Sequence, residues 1–402
     1  MSDKAERVKS VLEQVANTLK IQNYEIITDN ESKRGEGFLS ECFTGKVQDK
    51  DADKVIEVYI KTPPIYHMPY EAAVYRNECE FYSNIFPEFD QFQKEKEVKE
   101  PIDHFARCFC TNYEKGEEYI ALENLTVQNF ILTDKAKPLD EQHLRAVCEI
   151  YGKWHALTFS YKDQNKEKYE ELIKPIKNIY TYFANDSFFK WLKTLLEVAY
   201  NKIKRTDESR AEKIQKVMDN LPEYWNNAIE YTGRYSCFIH GDCWSNNFMF
   251  KYDKDNNIEE SKILDFQLIR DSTPVHDLSY FFYSGASKKD LDKLDEYLDL
   301  YYDTFSKFSR ELGSDPEKLL PYEALLADWN TASLLGLLMS IILWQIKLVP
   351  REVIQKIGKN GKSGPKDGNT EIGGALGEIK NLDIYAENIC DVLNHAIDRN
   401  II

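Results

Sequence analysis

The chain has 402 residues, 42% of them hydrophobic and 30% charged, with 25 Tyr and 21 Phe. That is room for two or three domain-sized units or one bilobal protein, and too much aromatic core material for extensive disorder. The formal net charge of −16 excludes broad attraction to nucleic acid or to an anionic membrane, both of which collect clustered Lys and Arg; a local basic patch is still permitted.

In chain order, Val8, Leu12, Val15 and Leu19 have helical spacing and predict a leading helix over 5–20 rather than the apolar core of a signal peptide. Tyr24, Ile26 and Ile27 read as a strand, Arg34-Gly35-Glu36-Gly37 as a turn, and 38–47 as the return strand. The β-rich run Lys54 to Lys61 is cut off by Thr62-Pro63-Pro64. Residues 70–85 follow as a helix, by the spacing of Val74, Cys79 and Tyr82, stopped before Pro87. Two β-like runs, 104–112 and 118–122, complete a small α+β unit.

From Leu139 helices dominate. Leu144, Val147, Cys148, Tyr151, Trp154 and His155 share one helical face, and Trp154 and His155 are expected in the core. Residues 186–231 predict two further helices, the second ending near Gly233. A β-rich island at 236–251 and 262–268 interrupts them, and helices resume from Lys289 to about Val349. The apolar run Leu334 to Trp344 is shorter than the roughly 20 residues a membrane span needs and reads as a buried helix. A Gly- and Lys-rich loop at 358–377 and a last helix at 384–397 end the chain, and no internal repeat is visible.

Eight Cys are scattered, and Cys108-x-Cys110 has no second pair or His cluster to complete a zinc site. Reduced thiols in a cytoplasmic protein are expected. On that reading the glycosylation patterns at Asn124 and Asn185 have no bearing. Gly361-Lys362-Ser363 is not a P-loop, because Lys356 stands where the first Gly is required.

The strongest chemical signal is His240-Gly241-Asp242-Cys243-Trp244-Ser245-Asn246-Asn247, followed by Ile263-Leu264-Asp265-Phe266-Gln267. Phosphoryl transfer from ATP needs a carboxylate near the attacking hydroxyl, hard oxygen ligands for Mg²⁺ and cations on the phosphates. Asp242 supplies the first, and Asn247 with Asp265 the second. The alternative makes Asp242 and Asn247 ordinary turn residues of a hairpin.

These segments resemble the kinase-like superfamily that includes choline kinases and aminoglycoside phosphotransferases, and within it the insect ecdysteroid-kinase-like (CHK-kinase-like) family. The likeness also rests on Tyr75-Arg76-Asn77-Glu78-Cys79-Glu80-Phe81-Tyr82 with Pro87, on Leu122-Glu123-Asn124-Leu125, and on Asp277-Leu278-Ser279-Tyr280-Phe281. It spans roughly residues 34–350, with Gln267 where protein kinases have Gly. The resemblance implies a bilobal protein-kinase-like fold. Residues 1–122 would form a nucleotide-binding lobe with a small antiparallel sheet. Residues 123–402 would form the helical lobe with the catalytic loop (238–250), the metal-binding segment (263–268) and the acceptor site.

Under the resemblance, Lys61 at the end of Val58-Tyr59-Ile60-Lys61 reaches the phosphates and pairs with Glu78. Gly35, Gly37 and Ser40 cover the phosphates, although the turn departs from the full Gly-rich signature. Backbone atoms near Glu123 and Asn124 hold the adenine. His240 and Asp277 support the loop; Asp277 reads equally as a helix N-cap. The implied reaction is ATP- and Mg²⁺-dependent phosphorylation of a small-molecule alcohol, an ecdysteroid or similar steroid or foreign alcohol, with no protein partner evident. A catalytically silent relative and a choline- or aminoglycoside-type kinase are the competing readings.

Overall fold

The structure is a computed structural model that describes residues 2–28, 40–63, 71–114, 116–350 and 381–402. The glycines Gly35 and Gly37, the residues 29–39 around them and the loop 358–377 lie outside the described residues.

Helix α1 (Ser2–Thr18) leads into strands β1 (Tyr24–Thr28), β2 (Glu41–Asp49) and β3 (Lys54–Thr62). A long helical segment follows: α2 (Glu71–Glu80), a π-helical turn (Phe81–Ile85) and α3 (Phe86–Glu95). Strands β4 (Cys108–Asn112) and β5 (Tyr119–Glu123) complete a five-stranded antiparallel sheet in the order β1-β2-β3-β5-β4. Strand alternation sends Val58 and Ile60 to one face, where they pack with Phe43, Val47 and the apolar stripe of α1, Val8 to Ala16. Lys61 and Tyr59 fall on the other face.

Pro87 does not stop the helix. The amide of Phe86 bonds the carbonyl of Phe81, five residues back, and this wide turn takes up the register where a proline ring would otherwise meet the preceding turn. Pro87 then sits in the first turn of α3, where no N–H is needed.

The larger lobe begins with a 3₁₀ turn (Leu125–Gln128) and the short β6 (Ile131–Leu132). Helices α4 (Glu141–Gln164), α5 (Lys166–Ile173), α6 (Asp186–Ile203), α7 (Glu208–Asp219) and α8 (Leu221–Glu230) follow. Three helices therefore occupy 186–231 where two were expected: the Asp207 carboxylate caps the start of α7, and Asn220 with Pro222 breaks the chain before α8.

The β-rich island holds β7 (Cys237–Ile239), β8 (Phe248–Tyr252), β9 (Ile258–Ile263) and β10 (Arg270–Ser272). β10 pairs with β7, and β8 lies between β6 and β9. Of the run expected at 262–268, only the start is strand: β9 ends at Ile263, and 266–268 is a 3₁₀ turn ahead of β10. Helices resume at α9 (Pro274–Gly285), earlier than expected, with Thr273 Oγ1 accepting from Val275 N at 3.3 Å. After α10 (Lys288–Leu291), α11 (Leu294–Glu311), α12 (Pro316–Leu319) and α13 (Tyr322–Ala332) come α14 (Leu334–Leu348) and α15 (Leu382–Asp398).

Every residue of α14 is buried, so its apolar run serves the core. Among the described residues no single helix is long and apolar enough to cross a membrane. All eight cysteines are unbridged. Asn124 and Asn185 each spend the side chain on a helix N-cap, accepting from Thr126 N and Phe188 N.

Candidate active site

Five chemistry-bearing residues from four separate segments converge in the cleft between the lobes. Lys61, at the end of β3, donates to both carboxylate oxygens of Glu78 at 2.9 and 2.7 Å. Its Nζ also lies 3.3 Å from Asp265 Oδ1. Burial opposes a charged Lys61, but Asp265 and Glu78 outweigh it and hold its pKa well above the ordinary value.

Glu78 is buried on α2, and the helix is tied to the larger lobe on both sides of it. Asn77 Nδ2 donates to the carbonyls of Lys177 (2.8 Å) and Gln267 (3.1 Å), and Asn77 Oδ1 accepts from Lys177 N (3.0 Å). One turn on, Phe81 stacks face to face on Phe266, with ring centroids 3.5 Å apart. Asp265 is thereby fixed from its neighbour. It adopts φ 68°, ψ 75°, a left-handed conformation uncommon outside glycine, and its buried Oδ1 accepts no hydrogen bond.

The loop after β7 is shaped by Gly241 at φ +87°, where a Cβ would stand 2.1 Å from the carbonyl oxygen of Leu268; only glycine permits that approach. Asp242 follows, with its side chain half-buried and both oxygens engaged. Asn247 Nδ2 donates to Oδ2 at 2.9 Å and to the Asp242 carbonyl at 2.8 Å, and Tyr280 OH donates to Oδ1 at 2.8 Å. These two acceptors fix the orientation of the Asn247 amide and leave its oxygen as the available ligand atom. Burial, and then the charge of Asp265, push the Asp242 carboxyl up to about 6 despite these bonds.

Behind the loop, Asp277 is fully buried and accepts from the amides of His240 (2.7 Å) and Gly241 (2.8 Å) and from His155 Nε2 (3.2 Å). Burial alone would raise its pKa; the hydrogen bond from His155, with the imidazoles of His155 and His240 beside it, prevails and holds it below the usual carboxylate value. His240 Nε2 donates to the Leu264 carbonyl at 2.9 Å while its Nδ1 accepts from Asp242 N at 3.2 Å, so the ring bridges the two loops. The cap of α9 is Thr273 rather than Asp277.

The other residues singled out from the sequence stand apart. Ser40 Oγ accepts from Gln267 Nε2 at 3.4 Å, at the rim of the site. Glu123 turns outward: its carboxylate accepts from Arg107 N and Gln128 Nε2, each at 2.8 Å. Its amide donates to the Arg107 carbonyl, and that of Asn124 to the Glu57 carbonyl.

Sequence reasoning missed His155 and Asn77 as members of these networks and named Tyr280 only within the segment Asp277-Leu278-Ser279-Tyr280-Phe281. The spacing Asp277-x-x-Tyr280 carried a signal, since residues three apart share a helix face. Nothing local in the sequence points from Asn77 to Gln267.

The ecdysteroid kinase-like family's sequence profile matches residues 34–314. The chain belongs to that family. As a member of the ecdysteroid kinase-like family it is a small-molecule kinase, a phosphotransferase with an alcohol group as acceptor, on the expected bilobal α+β fold. Among solved structures it is similar to the GDP complex of wild-type aminoglycoside 2′-phosphotransferase-IIIa, at 12% identity and TM-score 0.39 over 94% of this chain and 98% of that one. It is also similar to a glucosamine kinase, at 10% identity and TM-score 0.32 over 95% and 83%. Likeness at that level carries no argument about activity. No curated protein sequence matches significantly.

Proposed function

We propose that the protein transfers the γ-phosphate of ATP, with Mg²⁺, to a hydroxyl of an apolar small molecule in the cytoplasm, an ecdysteroid or similar steroid or foreign alcohol. Residues 1–122 form the nucleotide-binding lobe in this reading, and residues 123–402 carry the catalytic loop, the metal segment and the acceptor site. The observation that carries it is the convergence of the charged group Lys61, Glu78 and Asp265 with the hydrogen-bonded pair Asp242–Asn247, whose carboxylate feels the charge of Asp265.

The donor set fits a magnesium ion bound together with phosphates. Glu78 and Asp265 share the Lys61 ammonium, and Asp242 feels the charge of Asp265 with no ammonium of its own, an excess of negative charge that calls for a cation. The buried Asp265 Oδ1 meets the Lys61 ammonium at 3.3 Å without forming a hydrogen bond, and the Asn247 amide oxygen stands free of the bonds its nitrogen makes. Among the described residues no three His, Cys, Asp or Glu are grouped to hold a metal alone, as expected where phosphates and water supply most ligands. When bound there, Mg²⁺ would neutralise charge developing on the transferring group.

In this reading Lys61 binds the phosphates and Glu78 orients Lys61. Ser40, with Gly35 and Gly37, covers the phosphates, and the chain at Glu123–Asn124 borders the base. Asp242 accepts the proton of the acceptor hydroxyl at its carboxylate. His240 and Asp277 hold the loop that presents it.

The test is ATP consumption against a panel of steroid and non-steroid alcohols, with Asp265→Ala and Asp242→Asn as controls. Turnover should vanish in the first with the fold retained. In the second it should fall by roughly 10²–10⁴ with Mg·ATP affinity within a few-fold. Turnover retained in Asp265→Ala would sink the metal assignment. Loss of Mg·ATP binding in Asp242→Asn would place that residue among the metal ligands instead.

A further inference from the structure

We infer that Tyr280 is a positioning residue for phosphoryl transfer: its hydroxyl holds Asp242 Oδ1 and so fixes the plane in which the carboxylate meets the acceptor hydroxyl. The inference rests on reading Asp242 as the proton acceptor and deepens that reading.

A carboxylate gripped at one oxygen still rotates about its χ2 bond, which is soft for Asp. Asp242 is gripped at both. Asn247 Nδ2 takes Oδ2 at 2.9 Å, and the donor to Oδ1 among the described residues is Tyr280 OH at 2.8 Å. Each carboxylate oxygen has two lone pairs, so one on each remains for the substrate while the plane is set. Proximity catalysis depends on such alignment.

The phenol is itself held. Tyr280 is 1% exposed and lies one turn beyond Asp277 on α9. A single helical face thus grips the main chain of the loop through Asp277 and its side chain through Tyr280. Against the back of that turn lies α14, where a Cβ on Gly336 would stand 2.4 Å from Tyr280 N and 2.3 Å from the Ser279 carbonyl carbon. The two helices touch backbone to backbone, leaving Tyr280 no lateral freedom. Tyr180 OH, from the 3₁₀ turn at Ile179–Tyr182, donates to the Gly241 carbonyl. The main chain is therefore held redundantly, whereas the Oδ1 position depends on Tyr280.

A merely structural tyrosine in this core would matter through its ring, and Tyr280→Phe keeps the ring. The experiment is a double-mutant cycle of Tyr280→Phe and Asp242→Asn in the full chain. Transfer from Mg·ATP to ecdysone is measured, and transfer to water if ecdysone is not turned over. Tyr280→Phe should lower kcat roughly 10- to 100-fold, the size of one hydrogen bond to a charged acceptor, with KM for ATP within about twofold. In the Asp242→Asn background the same substitution should change kcat by less than about twofold. Wild-type kcat in Tyr280→Phe, or the same loss in both backgrounds, would overturn the inference while leaving Asp242 as the base. Loss of Mg·ATP binding in Asp242→Asn alone would overturn both.

Discussion

Replacing Asp277 by Asn changes one oxygen to nitrogen in a fully buried side chain that three donors converge on. The amide oxygen can keep one of the two backbone N–H groups, but the amide nitrogen faces the other, donor against donor. Leaving that N–H unsatisfied costs about 1–3 kcal/mol. The surviving bonds lose their charge assistance, about 1 kcal/mol each. The expected loss is therefore about 3–5 kcal/mol, in the range seen when a buried pair is broken from one side and a large share of a typical folding stability of about 5–15 kcal/mol. Urea titration followed by tryptophan fluorescence reads it directly, because the fully buried Trp154, Trp225, Trp329 and Trp344 all lie in the larger lobe. The pKa of Asp277 is depressed, so its contribution is complete above the unfolded value of 3.8 and fades only as pH falls through the folded one. The difference between wild type and Asp277→Asn should accordingly be the same at pH 6 and pH 8. A loss under about 1 kcal/mol would refute the reasoning, for then these bonds would not be what holds the loop.

Lys61→Ala should weaken Mg·ATP binding by about 1.5–3 kcal/mol, the worth of a charge-assisted contact, and Glu78→Gln less, since Asp265 still faces the ammonium; calorimetry decides, and unchanged affinity and rate in both would return Lys61 to a structural role. Gly241→Ala forces a side chain into the Leu268 carbonyl at a positive φ, where strain alone costs about 1–3 kcal/mol; melting and turnover should both fall, and a wild-type profile would contradict the close approach. Lys347 is buried, donates to the Ser284 carbonyl at 2.6 Å and has its pKa lowered from 10.5 to about 7 by burial. The folded protein must carry this buried cation below pH 7 and sheds it as pH rises, so Lys347→Met should stabilise by about 2–4 kcal/mol at pH 6 and by much less near pH 10. An equal effect at both would show that the charge is not the cause.

Periodicity made most of the elements legible. The stripe Val8, Leu12, Val15 marks α1, and the unbroken apolar run from Leu334 marks α14. Where the reading failed, the cause was tertiary or capping chemistry outweighing a local rule. Pro87 continues a helix because a π turn precedes it, and Asp207 and Pro222 divide what one periodicity joined. The central carboxylates could be picked out because phosphoryl transfer needs those residue types at short, fixed spacings. Their supports could not: the partners of Asn77 are 100 and 190 positions away, and His155 meets Asp277 across 122. Such contacts belong to the fold, and no window of sequence contains both ends.

The stacked pair Phe81–Phe266, with the Asn77 clasp one turn earlier, fastens α2 to the larger lobe although the chain delivers it from the smaller one. Beyond it, α3 continues into the same body, with Phe89 edge-on to Trp154 and Tyr161. If the cleft opens to admit nucleotide, the body that moves is the five-stranded sheet with α1 on its back, while α2 stays behind. The contacts crossed by that motion include Lys61 to Glu78, which joins β3 to α2, and Ser83 to Thr111, which joins the π turn to β4. On the proposed reading, the bond that orients the phosphate-binding lysine thus also ties the sheet to a helix that the larger lobe holds.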